Sequence, residues 1–325
     1  MSRTQIGRRG LAATAAGLAL GMGMGGAQAQ GGRPLRIIVP FPPGSATDAM
    51  ARFIGDRSAP LLRQPVVVEN MPGANGAIAA RAAARLPPDG QAVLFSTNST
   101  HAGNQHLMRE PGYDPIRDFA PVTLIGLAPL MLFVRGDSPA KTLSEFLIYA
   151  RSQQGRMNFG TGNTGSLVAA HLLMQRGGFE AEQISYRGTA EATTDLLGGR
   201  LHFMVTDMGP VTAHVQAGTL RALATTSRVR SVALPDVPTM HESGLPDFDY
   251  ASWNAIHARA GSPPEVIRTL NSAFVEVIRS PEGTAFFRNL GINVVASTPE
   301  QLGEFNASEL RKWEELVALA RIPKT

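Results

Sequence analysis

The chain has 325 residues, of which 43% are apolar and 17% charged, and it contains no cysteine. That composition specifies a soluble globular fold with a large apolar core, and it excludes disulfides, thiolate chemistry and Cys-ligated metal. The formal charge of +4 owes most to the first 29 residues: without their three arginines, 27 basic face 26 acidic side chains. Since no basic run is interleaved with aromatics, nothing points to nucleic acid.

Arg3, Arg8 and Arg9 precede an apolar stretch from Leu11 to Leu20, and Ala27-Gln28-Ala29 has the small-x-small pattern of a cleavage site. These are the parts of an export signal, with cleavage expected after Ala29. Arg8-Arg9 fits a twin-arginine signal only loosely, so the general secretory route is expected. The stretch is short and weakly apolar for a membrane span of about 20 residues. What remains is long enough for two domains.

Short β-branched runs then alternate with Ala-rich stretches, which predicts an α/β architecture with mostly parallel sheets. Arg36 to Val39 reads as a buried strand, stopped by Pro40, Pro42 and Pro43. Gly44 allows a tight turn, and Ser45 and Asp48 have the Ser-x-x-acid spacing that opens a helix over Ala49 to Arg57. A helix start of this kind exposes unpaired N–H groups and a partial positive charge, and so makes a socket for an anion; it also occurs as an ordinary connection. Further strands are expected at Val66 to Glu69, Ala92 to Ser96, Met131 to Val134, Asn158 to Gly160, Ile184 to Tyr186, Phe203 to Thr206, Ala222 to Thr226, Ala255 to Ala258 and Asn293 to Val295. Helices are expected at Gly76 to Leu86, Leu143 to Gln153, Leu167 to Arg176 and Ala190 to Leu197. A last one, from Pro299 to about Ala320, is launched by Thr298-Pro299-Glu300-Gln301.

The socket pattern recurs at Asn158 to Ser166, a Gly/Thr/Ser-rich loop between strand and helix, and at the turns Tyr186-Arg187-Gly188-Thr189 and Val205 to Pro210. None is a P-loop or a dinucleotide fingerprint. In parallel α/β sheets ligands sit beyond the carboxyl ends of strands, so these loops can share one cleft.

In order and spacing, Pro40 to Asp48, Val68 to Gly76, Pro88-Asp89-Gly90, Tyr113-Asp114-Pro115, Phe159 to Ser166, Tyr186-Arg187-Gly188, Asp195 to Gly199, Val237-Pro238-Thr239 and Trp253 resemble the extracytoplasmic solute receptors of tripartite tricarboxylate transporters, the Bug-type receptors. The resemblance spans nearly the whole mature chain. It implies a type II, Venus-flytrap periplasmic binding protein with crossover connections, one domain made of 31–132 plus 253–325 and the other of 133–252. It further implies a monomer that closes on a small carboxylate (mono-, di- or tricarboxylate, or amino acid) and delivers it to membrane transporter subunits or a sensor kinase, with no cofactor, metal or catalytic residue. Matching positions suggest Phe41, Gly44 and Ser45 as contacts, with Asp48 buttressing the loop, and Ser96, Thr97, Asn98 and Ser99 from the same domain. Thr161, Gly162, Thr164 and Ser166 would face them, with Tyr186 and Asp207 on neighbouring strand ends. An acid at Asp207 would meet a ligand ammonium or hydroxyl, or cap the following helix. The family commonly has glycine where Ser45 stands and lysine where Arg187 stands. Ser45 puts a hydroxyl in the first socket, and Arg187 would either bind a second carboxylate or pair on the surface.

The competing class is a secreted hydrolase or other enzyme acting on a small carboxylic acid. Ser138-Pro139-Ala140-Lys141 matches Ser-x-x-Lys, but Pro139 sits where the nucleophile's helix should continue and no Lys-Thr-Gly follows. There is no Gly-x-Ser-x-Gly elbow, no His-Glu-x-x-His and no repeat.

Overall fold

The computed structural model describes residues 33–325, so the expected signal segment and its cleavage site lie outside the described residues. The chain begins with β1 (Leu35–Val39), α1 (Ala46–Leu62), β2 (Val66–Asn70), α2 (Ala77–Ala83), β3 (Ala92–Thr97), α3 (Asn104–Leu107) and β4 (Phe119–Pro129). It crosses at Leu130 into β5 (Met131–Arg135), α4 (Leu143–Ser152), β6 (Met157–Thr161), α5 (Thr164–Gly177), β7 (Ala181–Ser185), α6 (Thr189–Leu197), β8 (Phe203–Thr206), α7 (Thr212–Gln216) and β9 (Leu220–Thr225). It returns through β10 (Ala251–Arg259), α8 (Pro264–Arg279), α9 (Pro281–Asn289), β11 (Asn293–Val294) and α10 (Pro299–Ala320).

Two sheets result, in the orders β11-β4-β10-β3-β1-β2 and β7-β6-β8-β5-β9. The helix-connected strands are parallel, as expected: β1 pairs with β2 and β3, and β6 with β7 and β8. The other pairs are antiparallel, so both sheets are mixed rather than mostly parallel. The reason is topological. Each sheet takes in one strand from a crossing, β10 in one and β5 in the other, that runs against both of its neighbours and so against the βαβ units.

The crossings are braced by one hydroxyl and its backbone. Leu130 N donates to Thr226 Oγ1 (3.0 Å), Thr226 Oγ1 donates to Tyr250 O (2.7 Å), and Thr226 N and Tyr250 N donate to Leu130 O (2.8 Å) and Thr226 O (2.9 Å). Three backbone segments from distant parts of the sequence are thereby fixed where the chain passes between sheets.

α10 realises its sequence signal: Thr298 Oγ1 accepts from Gln301 N (3.3 Å) and Gln301 Oε1 accepts from Thr298 N (3.0 Å), a capping box. Its buried stripe, Leu302, Trp313, Val317 and Ala320, joins a core cluster that contains Leu124 and Ala255 of the first sheet and Phe159 and Phe203 of the second. Trp313 is fully buried against Tyr250, ring centroids 5.9 Å apart, and Trp253 Nε1 donates to Glu309 Oε2 at 2.7 Å. The helix packs on β4 of the first sheet and on α5.

Candidate functional site

The loop after β1 is organised by Asp48. Its carboxylate accepts from Gly44 N (2.9 Å), Arg52 Nε (3.1 Å) and Asn70 Nδ2 (2.9 Å), and Asn70 Nδ2 also donates to Phe41 O (3.0 Å). Although burial opposes ionisation, the Arg52 guanidinium, the Gly44 amide and Asn70 together hold this carboxyl below its usual range. Gly44 has φ +80, a conformation that favours glycine. Ser45 is the N-cap of α1: its Oγ accepts from Asp48 N (3.2 Å) and hydrogen-bonds with Thr47 Oγ1 (3.0 Å). The helix starts three residues earlier than Ala49, directly after the cap the sequence reading expected, Ser45.

Between the sheets lies a cleft of about 60 Å³. Phe41, Ser45, Ala46, Thr47 and Met50 line it from the start of α1, and Thr97, Asn98 and Ser99 from the end of β3. The second sheet presents Gly188, Thr189 and Ala190 at the start of α6, with Asn163 and Asp207 beside them. α6 has no side-chain cap, so the amides of its first turn are left to whatever enters the cleft. Asp207 keeps a partly exposed face but is otherwise walled by protein. Its Oδ1 has no hydrogen-bond partner, and burial pushes its carboxyl up despite the opposing pull of its own amide and that of Gly209.

Two walls of the cleft nearly touch. A Cβ on Gly209 would lie 2.7 Å from Ala46 Cβ, and one on Gly188 would lie 3.3 Å from Pro42 Cδ. Thr164 N donates across to Ser99 Oγ at 3.2 Å. Asn98 is held from the return crossing, donating to Tyr250 Oη (3.3 Å) and accepting from Ser252 Oγ. The arrangement offers amides, hydroxyls and carboxamides to an anion, and among the lining residues no Lys, Arg or His. Among the described residues no cluster of three or more His, Cys, Asp or Glu could hold a metal. Ser138 and Lys141 sit in the loop between β5 and α4, away from the cleft, with Ser138 Oγ accepting from Ala140 N (3.3 Å).

The profile of the family described as "Tripartite tricarboxylate transporter family receptor" matches residues 50–321. The chain belongs to that family. This receptor is similar to Protein BugT of Bordetella pertussis, 36% identical over 290 residues that cover 88% of each chain. It is also similar to a protein encoded in the tcbD-tcbE intergenic region of Pseudomonas sp. (strain P51), 34% identical and covering 98% of this chain and 96% of that one. Among solved structures it resembles R. palustris Rpa4515 with adipate (TM-score 0.87, 30% identity, 90% of this chain and 99% of that one) and the periplasmic binding protein BugD (TM-score 0.85, 31% identity, 90% and 99%). MatC from Rhodopseudomonas palustris with bound malate matches at TM-score 0.83 and 30% identity, over 88% and 99%. The receptor is thus a two-domain periplasmic binding protein.

Of the sequence-derived positions, the receptor's cleft brings together Phe41, Ser45, Thr97, Asn98, Ser99 and Asp207. Gly44 and Asp48 stand behind the lining and shape the loop. Ser96 is fully buried on the opposite face of β3 from Thr97, its Oγ 2.6 Å from His257 Nδ1, because side chains alternate along a strand. Thr161, Gly162 and Tyr186 line a neighbouring pocket, which shares Phe41 and Asn163 with the cleft and includes Arg187. Tyr186 Oη donates to Asp195 Oδ2 at 2.7 Å; burial and that carboxylate push the phenol up to about 12. Thr164 and Ser166 are buried in the first turn of α5, where Asn163 caps Ser166 N at 2.8 Å. Arg187 is exposed and forms no ion pair among the described residues. Missing from the sequence-derived set were Asn163, Thr189, Ser252 and Asn254. The turn Tyr186 to Thr189 has the socket pattern in sequence, but nothing local ranks it above Asn158 to Ser166.

Proposed function

We propose that this receptor captures a small carboxylate in the cleft between its two sheets and hands it to the membrane subunits of a transporter or to a sensor kinase. The observation that carries the reading is the cleft itself: two helix starts and a set of hydroxyls and carboxamides, with the walls close enough to enclose a small molecule. The adipate and malate in two similar structures agree with it. We read 31–132 plus 253–325 and 133–252 as the two domains, a reading supported by the crossings at Leu130 and Tyr250, and the mature chain as a periplasmic monomer released after Ala29 by the general secretory route. Phe41, Ser45, Asn98, Ser99 and Asp207 are the ligand contacts in this reading; Gly44 and Asp48 support them. Tyr186, Thr161 and Gly162 serve the adjoining pocket, Thr164 and Ser166 the start of α5, and Ser96 the core.

The receptor binds without chemistry. A carboxylate at 100 times its dissociation constant should stabilise the fold by about 2.7 kcal/mol, read as a raised melting temperature, and should be recovered intact after prolonged incubation. Turnover of the stabilising ligand would overturn the reading in favour of an enzyme.

A further inference from the structure

Resting on the receptor reading, we propose that the ligand site has two chambers, the cleft and the pocket beside it, and that Arg187 in the second chamber holds a further carboxylate of the ligand. Size is the first argument. The cleft encloses about 60 Å³. At roughly 10–15 Å³ for each water-sized group, it has room for a carboxylate and a few carbons. The adjoining pocket is about 300 Å³, and Phe41 and Asn163 line both. A ligand longer than the cleft therefore has space to continue past these two side chains into the second chamber.

That chamber is built from remote parts of the chain. On one side runs the turn Gly73 to Gly76, where Ala74 (φ 47) and Asn75 (φ 49) are held in the left-handed region and Asn104 Nδ2 donates to Asn75 O at 3.1 Å. On the other stand Thr161, Gln183, Ser185, Tyr186 and Arg187. Three of these are already engaged: Gln183 Nε2 donates to Ser185 Oγ (2.8 Å) and Tyr186 Oη to Asp195 Oδ2 (2.7 Å). Arg187 is not. Its side chain pairs with no carboxylate among the described residues.

The neighbouring acids are committed elsewhere. Glu191 accepts from Arg187 N at 3.3 Å, and Asp195 is shared between Tyr186 and Arg200, the latter at 2.8 Å. Asp207 lines the cleft and not this chamber, so it does not compete for the guanidinium. Arg187 thus brings to the second chamber an uncompensated charge and a planar, two-pronged donor that fits a carboxylate. The two chambers offer different chemistry: amides and hydroxyls for one end of the ligand, a guanidinium for the other.

Calorimetric titration of the mature chain with matched pairs isolates the second carboxylate: succinate with butanoate, glutarate with pentanoate, and adipate with hexanoate. Because Arg187 is exposed, the contact is partly solvated, and in at least one pair the diacid should bind about fivefold or more tighter than the monoacid. Arg187→Gln should remove that advantage while changing monoacid affinity by less than about twofold, and Arg187→Lys should keep part of it. The melting temperature without ligand should stay the same in both variants, which separates lost recognition from a damaged fold. Equal binding of diacid and monoacid by the parent, or a diacid advantage that survives Arg187→Gln, would overturn the proposal and leave the receptor reading standing. No binding by any of the six acids would overturn both.

Discussion

His101 and His257 stack in the core of the first sheet with ring centroids 4.0 Å apart, and both are essentially unexposed. His257 is held on both sides: Nδ1 is 2.6 Å from Ser96 Oγ and Nε2 is 2.7 Å from Asn306 Nδ2. With the carboxamide donating to Nε2, the ring's proton sits on Nδ1, and a second proton would meet a donor. His101 shares a hydrogen bond with Thr100 Oγ1 (3.1 Å) and leaves Nε2 without a partner. Burial lowers His101 from 6.5 to about 3, and burial together with its stacked neighbour lowers His257 well below 6.5. Between pH 6.5 and about 3 the unfolded chain therefore binds more protons than the folded one, so this part of the stability is complete above pH 6.5 and is lost as pH falls. One unit below the unfolded value, each histidine favours unfolding by about 1.4 kcal/mol, and the pair by about 2.8 kcal/mol. Asp207, with its carboxyl raised, works in the opposite direction over its own window. Urea unfolding near pH 7.5 and near pH 5.5 reads the total, and His101→Leu isolates half of it: the variant should lose about 1.4 kcal/mol less than the parent between the two pH values, whatever its stability at the upper one. Equal losses in parent and variant would refute the argument, because they would mean that His101 takes up its proton without unfolding.

Closure depends on a missing side chain. Gly209→Val would drive a branched side chain into Ala46 and hold the walls apart, so ligand affinity should fall about tenfold or more by calorimetry while the unliganded melting temperature changes little; unchanged affinity would show that the walls do not need this contact. The Ser45 cap separates structure from recognition: Ser45→Ala should cost about 1 kcal/mol in urea unfolding and Ser45→Gly only a few tenths, and equal costs would mean that the hydroxyl does not cap α1.

Residues acting within a turn of one another were legible before any fold was known. The strand β1, the Ser45 cap and the Thr298 capping box are decided by proline's missing donor and by side chains that reach back three residues, and they stand where the sequence put them to within a residue or so. β4 was missed. Pro121, Gly126 and Pro129 read as breakers, yet the strand runs across Phe119–Pro129, because β10 pairs along it with two register shifts that absorb the irregularities. A local signal could also not choose among the socket-like loops. Tertiary packing turned the start of α6 toward Pro42 and into the cleft, and it kept Thr164 and Ser166 within the buried first turn of α5. The sequence by itself thus determined an exported α/β receptor of a recognisable family with an anion socket after its first strand. Only the tertiary structure decided which loops share the cleft and that two histidines distant in sequence stack in the core, since each depends on how the two crossings bring remote segments together.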